Sequence, residues 1–526
     1  MAIELHADAG QASTPLDHFW ARCVGAGRAA EGLRGSWQEQ LRKAVAECGF
    51  QYIRFHGLFH DDMFVYREIE GKIVYNFQYV DELFDKLLEI GIRPFVEFGF
   101  CPGDLATERA TVFWWKGNGS PPKDYGAWAE LVRRTVCHWI ERYGAEEVRQ
   151  WYFEVWNEPN LNPFFRGTKS QYFELYKRTA LALKAIDPAL RVGGPATSNF
   201  VPDGRFHGEE EDVSEHATVL TAEDIDTLDW QPVWVSQFIA FCHREELPID
   251  FISCHPYPTD WALDEHGQGR RSTRDLNATP NDLALLRRIV DASPYPNAEI
   301  HLTEWNSSSS PRDFTHDFLQ AATYVAKTNI DAIGTVDSLA YWTFTDVFEE
   351  GGAGDTIFHG GFGMVNVQGI VKPTFHAYRF LNALGDEWIS KSAGGIVTRC
   401  RRTGKLAMLA YHYPPEMRLS APASFDSRDT ARETLALGFP EQLNIELTGL
   451  KPGASFMVET LGKACGNAME AWEAMGAPEA PTREQIRALQ GAASATRKDI
   501  FTADLSGRFT FEQLIEPWSL VLIKEL

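Results

Sequence analysis

Short apolar segments alternate with longer amphipathic segments from about residue 20 to residue 350 of the 526-residue chain. The apolar segments are rich in β-branched and aromatic residues, a composition typical of buried strands. The candidate strands are ARCVG (21–25), YIRFHG (52–57), RPFVEFGF (93–100), WYFEVWNE (151–158), RVGGPA (191–196), DFISCHPY (250–257), EIHLTEW (299–305) and LAYWTF (339–344). Strands that alternate with helices in this number predict an α/β fold, a closed (β/α)8 TIM barrel.

The segments between these strands have helical periodicity. In YVDELFDKLLEIG (79–91), one helical face carries Val80, Leu83, Phe84, Leu87 and Leu88. The segment ends at Gly91, which suits a helix C-cap. An open, doubly wound sheet is the alternative, and it would need a glycine-rich turn in a nucleotide-binding context. The candidate GAGRAAEG (25–32) lacks the acidic residue expected further along such a unit, so we favour the barrel.

The pattern changes after about residue 355, where strand-length segments and turns replace the alternation. These segments are GGIVTRC, KLAMLAYHY, LNIELTGL, ASFMVETL and PWSLVLIKEL, and they predict a C-terminal antiparallel β-sandwich. We therefore expect an N-terminal extension (1–14), a catalytic barrel (15–354) and a sandwich domain (355–526) with a helical insertion near 467–499. The acid-rich segment 202–227 is expected to form a long surface loop.

The charge balance excludes several classes of partner. Lys and Arg total 50 against 73 Asp and Glu, which gives a net charge of −23. A surface this acidic repels phosphate backbones and anionic lipids, so we expect neither nucleic-acid nor membrane binding.

The first residues, MAIELHADAG, carry charged groups where a signal peptide would be apolar, and we expect a cytoplasmic protein. The eight cysteines form no CxxC pair, which argues against a zinc site or a disulfide framework.

Two glutamates occupy corresponding positions at the ends of predicted strands. Catalytic groups of TIM barrels lie at the C-terminal ends of the strands, and Glu158 and Glu304 end the fourth and seventh of them. Pro159 stops the fourth strand, so the Glu158 carboxylate should point out of the ladder. A single strand-end glutamate is usually inert, but a facing pair is what acetal cleavage requires: one group protonates the leaving oxygen and the other attacks or activates water.

The sequences around these glutamates resemble a known enzyme family. FEVWNEPNL (153–161) and HLTEWNSS (301–308) resemble the acid/base and nucleophile motifs of clan A retaining glycosidases, and most closely those of glycoside hydrolase family 39. Further matching blocks are YIRFHGLFHDDMFVY (52–66), PFVEFGFCP (94–102), PPKDYGAWAELV (121–132), HPYP (255–258), YWTFTDVFEE (341–350) and HGGFGMVN (359–366). The resemblance implies that Glu158 is the acid/base and Glu304 the nucleophile. It also implies a retaining, exo-acting β-D-xylosidase whose substrate is a xylo-oligosaccharide.

Two side chains are expected to keep the nucleophile ionised. Arg54 and Tyr257, at neighbouring strand ends, are suitable hydrogen-bond donors to Glu304, and the family places an arginine and a tyrosine there. For Arg54, a purely structural ion pair with Glu97 or Glu154 inside the barrel is the alternative.

The remaining candidate residues are expected to contact the sugar: Asn157 at the 2-hydroxyl, His56 and His255 at other hydroxyls, and Trp342 as an apolar wall. The family resemblance implies that Glu349 and Glu350 bind the far hydroxyls, although Glu350 taken alone could belong to a solvated acidic loop. The adjacent residues His60, Asp61 and Asp62 fit loop capping, so we expect neither a metal nor a cofactor.

Other activities remain as alternatives. An α-L-iduronidase must neutralise a sugar carboxylate, and where iduronidases carry a lysine two residues after the matching histidine, this chain has Tyr257. The Glu349–Glu350 pair would also repel a uronate. An arabinoside-cleaving enzyme stays open as an alternative, whereas a non-catalytic carbohydrate-binding protein would be expected to lack one carboxylate.

Monomers and tetramers both occur in the family, and the acidic charge slightly favours a monomer over a homotetramer.

Overall fold

The computed structural model describes residues 2–202, 212, 218–219, 225–263, 269–422 and 427–526. Most of the acid-rich segment predicted to be a surface loop lies outside the described residues. No helix in the described part of the chain combines the length and the apolar character that crossing a membrane requires.

A closed barrel of eight parallel strands forms the first domain, as the sequence predicts. The strands are Cys23–Arg28, Tyr52–His56, Arg93–Phe98, Tyr152–Val155, Arg191–Ser198, Phe251–His255, Glu299–Trp305 and Ser338–Tyr341. Each one overlaps a segment chosen from the sequence pattern. The ring closes where Tyr341 of the last strand pairs with Val24 of the first.

A helix follows each barrel strand. These helices are Gly35–Cys48, Gln78–Ile90, Tyr125–Tyr143, Lys169–Ile186, Val235–Arg244, Ala278–Asp291, Leu319–Asp331 and Pro373–Asn382. In the second helix four residues of the predicted stripe are buried and Leu88 is half-buried, and Gly91 caps the end with a φ of 91°. The last helix packs against both the seventh and the first, so the barrel extends to residue 382 rather than ending at 354. The loop before Pro373 is rich in glycine, and in the sequence it looks like a domain boundary. In the structure it connects the eighth strand to its helix.

Two stacked sheets form the second domain, in agreement with the predicted sandwich. The larger, antiparallel sheet contains, in spatial order, Thr14–Pro15, Glu387–Ser392, Gly395–Arg399, Leu406–Tyr411, Leu520–Glu525, Ser455–Leu461 and Arg497–Thr502. The smaller sheet contains Ile3–Asp8, Glu441–Thr448 and Phe509–Ile515. Apolar side chains of both sheets interdigitate, among them Leu5, Met408, Leu443, Val458 and Phe511.

The N-terminal segment belongs to this sandwich. Ile3–Asp8 pairs in parallel with Glu441–Thr448, and its side chains alternate between buried and exposed. The alternation is present in the sequence IELHAD, but nothing local indicates a partner that lies more than 400 residues away. The predicted helical insertion contains two helices, Met469–Ala474 and Arg483–Ser494, and the chain returns to the sheet at Arg497.

Shorter elements decorate both domains. They are the hairpin Tyr66–Ile69 with Lys72–Tyr75, the pairs Thr111–Val112 with Gly117–Asn118 and Phe200–Val201 with Gln231–Pro232, the strands Thr218–Val219, Thr259–Leu263 and Gly269–Thr273, and the helices Ala145–Val148 and Arg428–Leu435.

The barrel interior changes character along its axis. Aromatic side chains fill one level, where Phe95, Tyr152 and Phe251 pack together. Charged side chains occupy another level, where Arg54 and Glu154 are fully buried. Buried charges persist only when they are paired, and Arg54 and Glu154 form such an ion pair.

Candidate active site

A cavity of about 210 Å³ lies where the barrel strands end. The predicted site residues among those that line it are His56, Asn157, Glu158, Tyr257, Glu304, Trp342 and Glu350. Arg54, His255 and Glu349 are not among the lining residues. The structure therefore brings seven of the ten predicted residues together around one space and leaves three outside its wall.

Glu158 reaches the cavity through a tight turn. The fourth strand ends at Val155, three residues earlier than the sequence pattern indicates. Trp156 and Glu158 then adopt left-handed backbone conformations, with φ values of 73° and 46°. The Glu158 amide donates to the carbonyl of Ala196, which anchors the turn on the next strand at 2.8 Å. Glu304 instead lies within the seventh strand, one residue before its end.

The two carboxyl groups are close neighbours. One oxygen of Glu158, one of Glu304 and a ring nitrogen of His255 all lie within 4.8 Å of one another. Retaining glycosidases separate their carboxyl groups by about 5–5.5 Å, whereas inverting enzymes need roughly 6.5–9.5 Å to admit a water. The three groups could in principle ligate a metal, but Arg54 already places a positive charge 2.7 Å from Glu304. The spacing fits a retaining pair.

Glu304 is surrounded by donors. Arg54 Nη1 donates to its Oε1 at 2.7 Å, and the Tyr257 hydroxyl donates to its Oε2 at 3.2 Å. Burial raises the pKa of Glu304 to about 7, although the charges of Arg54 and His56 act to lower it. Donors that bind the charged form favour that form, so Arg54 and Tyr257 oppose the effect of burial and favour the carboxylate that a nucleophile must be.

Arg54 also serves the barrel interior. Its Nε donates to Glu154 at 2.6 Å, and its Nη2 lies 3.0 Å from Glu97. Arg54 therefore makes both sets of predicted contacts, because one buried guanidinium pairs with structural carboxylates and with Glu304. Nη2 also donates to Asn157 Oδ1 at 2.8 Å. With its oxygen occupied, Asn157 has its amide nitrogen available as a donor to a sugar hydroxyl.

Glu158 is in a different environment. Its Oε1 lies 2.9 Å from His255 Nδ1. Burial, followed by the negative charge of Glu304, raises the pKa of Glu158 well above its usual value. The pKa of His255 is well below its usual value, because burial and the nearby cations Arg54 and His56 disfavour a charged ring. The protonated form of Glu158 is thus favoured beside a neutral imidazole, which is the state that a general acid requires.

Both ring nitrogens of His255, which was predicted to contact the sugar, have protein partners. Its Nδ1 faces Glu158, and its Nε2 lies 2.9 Å from Thr303 Oγ1. The ring is not among the residues that line the cavity.

His56 and Glu350 form the polar end of the cavity. His56 Nδ1 pairs with Glu97 at 2.6 Å, and its Nε2 lies 3.5 Å from Glu350. Burial acts to lower the pKa of His56, but Glu97 and Glu350 outweigh it and raise the pKa to about 10. A charged imidazolium therefore fixes the position of Glu350.

Glu349 lies apart from its neighbour. Its carboxylate binds Arg28 at 3.0 Å and Arg34 at 2.6 Å, outside the cavity wall. The predicted pair is therefore divided between the cavity, which Glu350 lines, and a structural ion cluster that contains Glu349.

Aromatic side chains complete the wall, and most were not predicted. Trp342 contacts the His56 ring at a centroid distance of 4.8 Å, and Phe113 stacks on that ring at 5.8 Å. Phe113 and Phe164 come from loops between a strand and its helix, and Phe362 comes from the long loop after the eighth strand. Sequence periodicity describes strands and helices, so it carries no signal for loop residues that fold over a site.

Comparison with known proteins gives a consistent result. The profile of glycosyl hydrolases family 39 matches residues 1–510. A β-xylosidase from Geobacillus stearothermophilus is 37% identical, over 90% of this chain and 86% of its own length. A β-xylosidase from Caldicellulosiruptor saccharolyticus is 36% identical, over 97% of this chain and 95% of its own.

A solved structure agrees at the level of the fold. The crystal structure of a monomeric β-xylosidase from Caulobacter crescentus CB15 has a TM-score of 0.84 and 34% identity, and it covers 100% of this chain and 99% of the other. The sequence motifs, the barrel and the matched profile all lead to one assignment. The chain is a member of glycosyl hydrolases family 39.

Proposed function

We propose that the protein is a retaining, exo-acting β-D-xylosidase that removes terminal xylose from xylo-oligosaccharides. The observation that carries the proposal is the pair formed by Glu158 and Glu304, with carboxyl oxygens within 4.8 Å in one small cavity. Homologous β-xylosidases that align over most of this chain support the choice of sugar.

The first half of the reaction transfers the sugar to the enzyme. The Glu304 carboxylate attacks the anomeric carbon, and the bond from that carbon to the leaving oxygen breaks. Glu158 gives its proton to the leaving oxygen, so that a neutral alcohol departs. Arg54 and Tyr257 orient the attacking carboxylate, and the Asn157 amide is placed to bind the 2-hydroxyl as positive charge develops on the ring.

The second half returns the enzyme to its starting state. Glu158, now a carboxylate, accepts a proton from a water molecule that attacks the anomeric carbon. The bond between the sugar and Glu304 breaks, and xylose leaves with the β configuration that it had in the substrate. Two inversions at one carbon therefore give net retention, and each carboxyl group ends in its original protonation state.

The cavity favours a small neutral sugar. Its volume of about 210 Å³ lies below the usual range of roughly 300–1,000 Å³ for ligand pockets, which suits a single terminal unit. The described residues that line it include Glu350 and neither lysine nor arginine. The one cation among the described lining residues is His56, which is already paired with Glu97 and Glu350. A uronate would therefore meet the Glu350 carboxylate without an unpaired cation, which disfavours an iduronidase.

A panel of nitrophenyl glycosides tests the function. We expect the β-D-xyloside to be cleaved at least about tenfold faster, in kcat/KM, than the β-D-glucoside, because a closed pentose pocket rejects the extra CH₂OH group. Proton NMR of the reaction should show β-xylose as the first-formed product. Preferred cleavage of an α-L-arabinoside or an α-L-iduronide, or α-xylose as the first product, would contradict the proposal.

Glu350 and Glu349 provide a matched pair of variants. Glu350 lines the cavity and is expected to accept a hydrogen bond from a far hydroxyl, so Glu350→Gln should lower kcat/KM on xylobiose about tenfold. Glu349→Gln alters the ion cluster with Arg28 and Arg34, and the loss should stay below about threefold. Steady-state kinetics of both variants provide the measurement. Equal losses in the two would show that Glu350 does not bind substrate.

We also propose a monomeric enzyme, which the acidic net charge favours, and the cytoplasmic location stays a prediction.

A further inference from the structure

A chain of hydrogen bonds extends from the acid/base into the barrel. His255 Nδ1 lies 2.9 Å from Glu158 Oε1, and His255 Nε2 lies 2.9 Å from Thr303 Oγ1. Thr303 Oγ1 in turn donates to Glu154 Oε1 at 2.7 Å. The other oxygen of Glu154 accepts from Arg54 Nε at 2.6 Å. All of these side chains are buried, so the direction of each hydrogen bond can be worked out from the donors present.

Glu154 forms an ion pair with Arg54, so its ionised carboxylate can only accept hydrogen bonds. Thr303 has one hydroxyl proton, and Glu154 Oε1 receives it. The Thr303 oxygen must then accept from His255, which places the ring proton on Nε2. A neutral imidazole carries one N–H, so Nδ1 presents a lone pair to Glu158. Two acceptors cannot approach to 2.9 Å without a proton between them, and that proton belongs to Glu158.

We propose that Thr303 and Glu154 are positioning residues that fix the Nε2–H tautomer of His255, so that Glu158 holds its proton against a ring nitrogen with no hydrogen. The opposite tautomer would take the Thr303 proton away from Glu154 Oε1, inside a fully buried layer. The inference rests on the proposed function only in naming Glu158 as the acid/base.

The fixed tautomer serves both halves of the reaction. Before the first step, the Nδ1 lone pair favours the protonated form of Glu158. After the proton has gone to the leaving oxygen, Nδ1 has no hydrogen to offer the Glu158 carboxylate. The carboxylate therefore stays basic and can take a proton from the attacking water.

Several other ionisable groups also face Glu158. They are Arg54 and His56 on the second strand, Tyr257 after the sixth, Glu304 on the seventh and Glu350 after the eighth. None of them donates to the Nε2 side of His255. A change confined to Thr303 thus leaves these charges in place and alters the hydrogen bond to Glu154 and the tautomer preference of His255.

Thr303→Val and Thr303→Ser form the matched test. Valine keeps the shape and removes the hydroxyl, so His255 becomes free to carry its proton on Nδ1 and donate to ionised Glu158. Because kcat/KM requires protonated Glu158, the alkaline limb of its pH profile on xylobiose should move down by about one pH unit. The acidic limb, set by Glu304, should not move. Serine restores the hydroxyl and should restore the wild-type alkaline limb.

A second measurement needs no variant to be active. In wild-type protein labelled with ¹⁵N-histidine, long-range ¹H–¹⁵N correlations should show the His255 proton on Nε2; loss of the signal in His255→Asn assigns it among the 15 histidines. A proton on Nδ1, a wild-type alkaline limb in Thr303→Val, or equal shifts in the valine and serine variants would overturn the proposal. Failure of the wild-type enzyme to cleave xylosides would instead contradict the proposed function, because the NMR result is independent of turnover.

Discussion

Replacing Glu304 by alanine should lower kcat/KM on every β-xyloside by at least about 10⁴-fold, the scale of loss seen when a covalent nucleophile is removed. The loss should not depend on the leaving group, because attack on the anomeric carbon precedes or accompanies every bond cleavage. Arg54 and Tyr257 lose their acceptor in this variant, but Arg54 keeps its pairing with Glu154 and Glu97. The barrel should therefore remain folded, with a melting temperature close to that of the wild type.

The configuration of the product formed with azide tests whether Glu304 is the nucleophile. In Glu304→Ala the space of the nucleophile is open, so azide should attack dinitrophenyl β-xyloside from that face and give the α-xylosyl azide. Glu304→Gln fills the same space and serves as the control that azide should not rescue. A β-azide from the alanine variant would show that Glu304 is not the nucleophile.

The sequence predicts the frame of this site better than its interior. Strand ends in a TIM barrel share one face, which is why Glu158 and Glu304 could be paired from a one-dimensional pattern. The left-handed turn that carries Glu158 three residues beyond its strand could not be derived from that pattern.

The sequence gives only a weak indication of the charged side chains inside the barrel. Glu97 and Glu154 lie in otherwise apolar strands, and a charge in such a place requires a buried partner. The sequence therefore indicated that Arg54 has carboxylate partners, but it could not show that one guanidinium serves four groups. His255 was predicted to contact sugar because two histidines, His56 and His255, stand at barrel strand ends beside the acids. Its two protein partners became visible only when the distances to Glu158 and Thr303 were known.

The division of Glu349 and Glu350 has a similar origin. Identical adjacent residues give no sequence signal for which one faces inward. That choice depends on Arg28 and Arg34, which lie more than 300 residues away in the chain and draw Glu349 outward.

Replacing Glu158 by alanine should produce a loss that depends on the leaving group. The xylose unit that leaves from xylobiose is a poor leaving group unless it is protonated, so kcat/KM on xylobiose should fall by about 10²–10⁴-fold, the usual contribution of general acid catalysis. Dinitrophenolate needs no proton, and kcat/KM on dinitrophenyl β-xyloside should stay within about tenfold of the wild type. Removing Glu158 also removes the base for the second step, so the glycosyl-enzyme should accumulate and both kcat and KM should fall on that substrate.

Azide needs no base, and it should restore kcat of Glu158→Ala on dinitrophenyl β-xyloside with formation of the β-xylosyl azide. The retained configuration follows because azide attacks the intermediate that Glu304 has already formed. His255, which lies 2.9 Å from Glu158, remains in the variant but faces the vacated space through a nitrogen without a proton, and it cannot replace the acid. Equal losses on xylobiose and on the dinitrophenyl substrate would show that Glu158 is not the proton donor. An α-azide would show that the two carboxylates have the opposite roles.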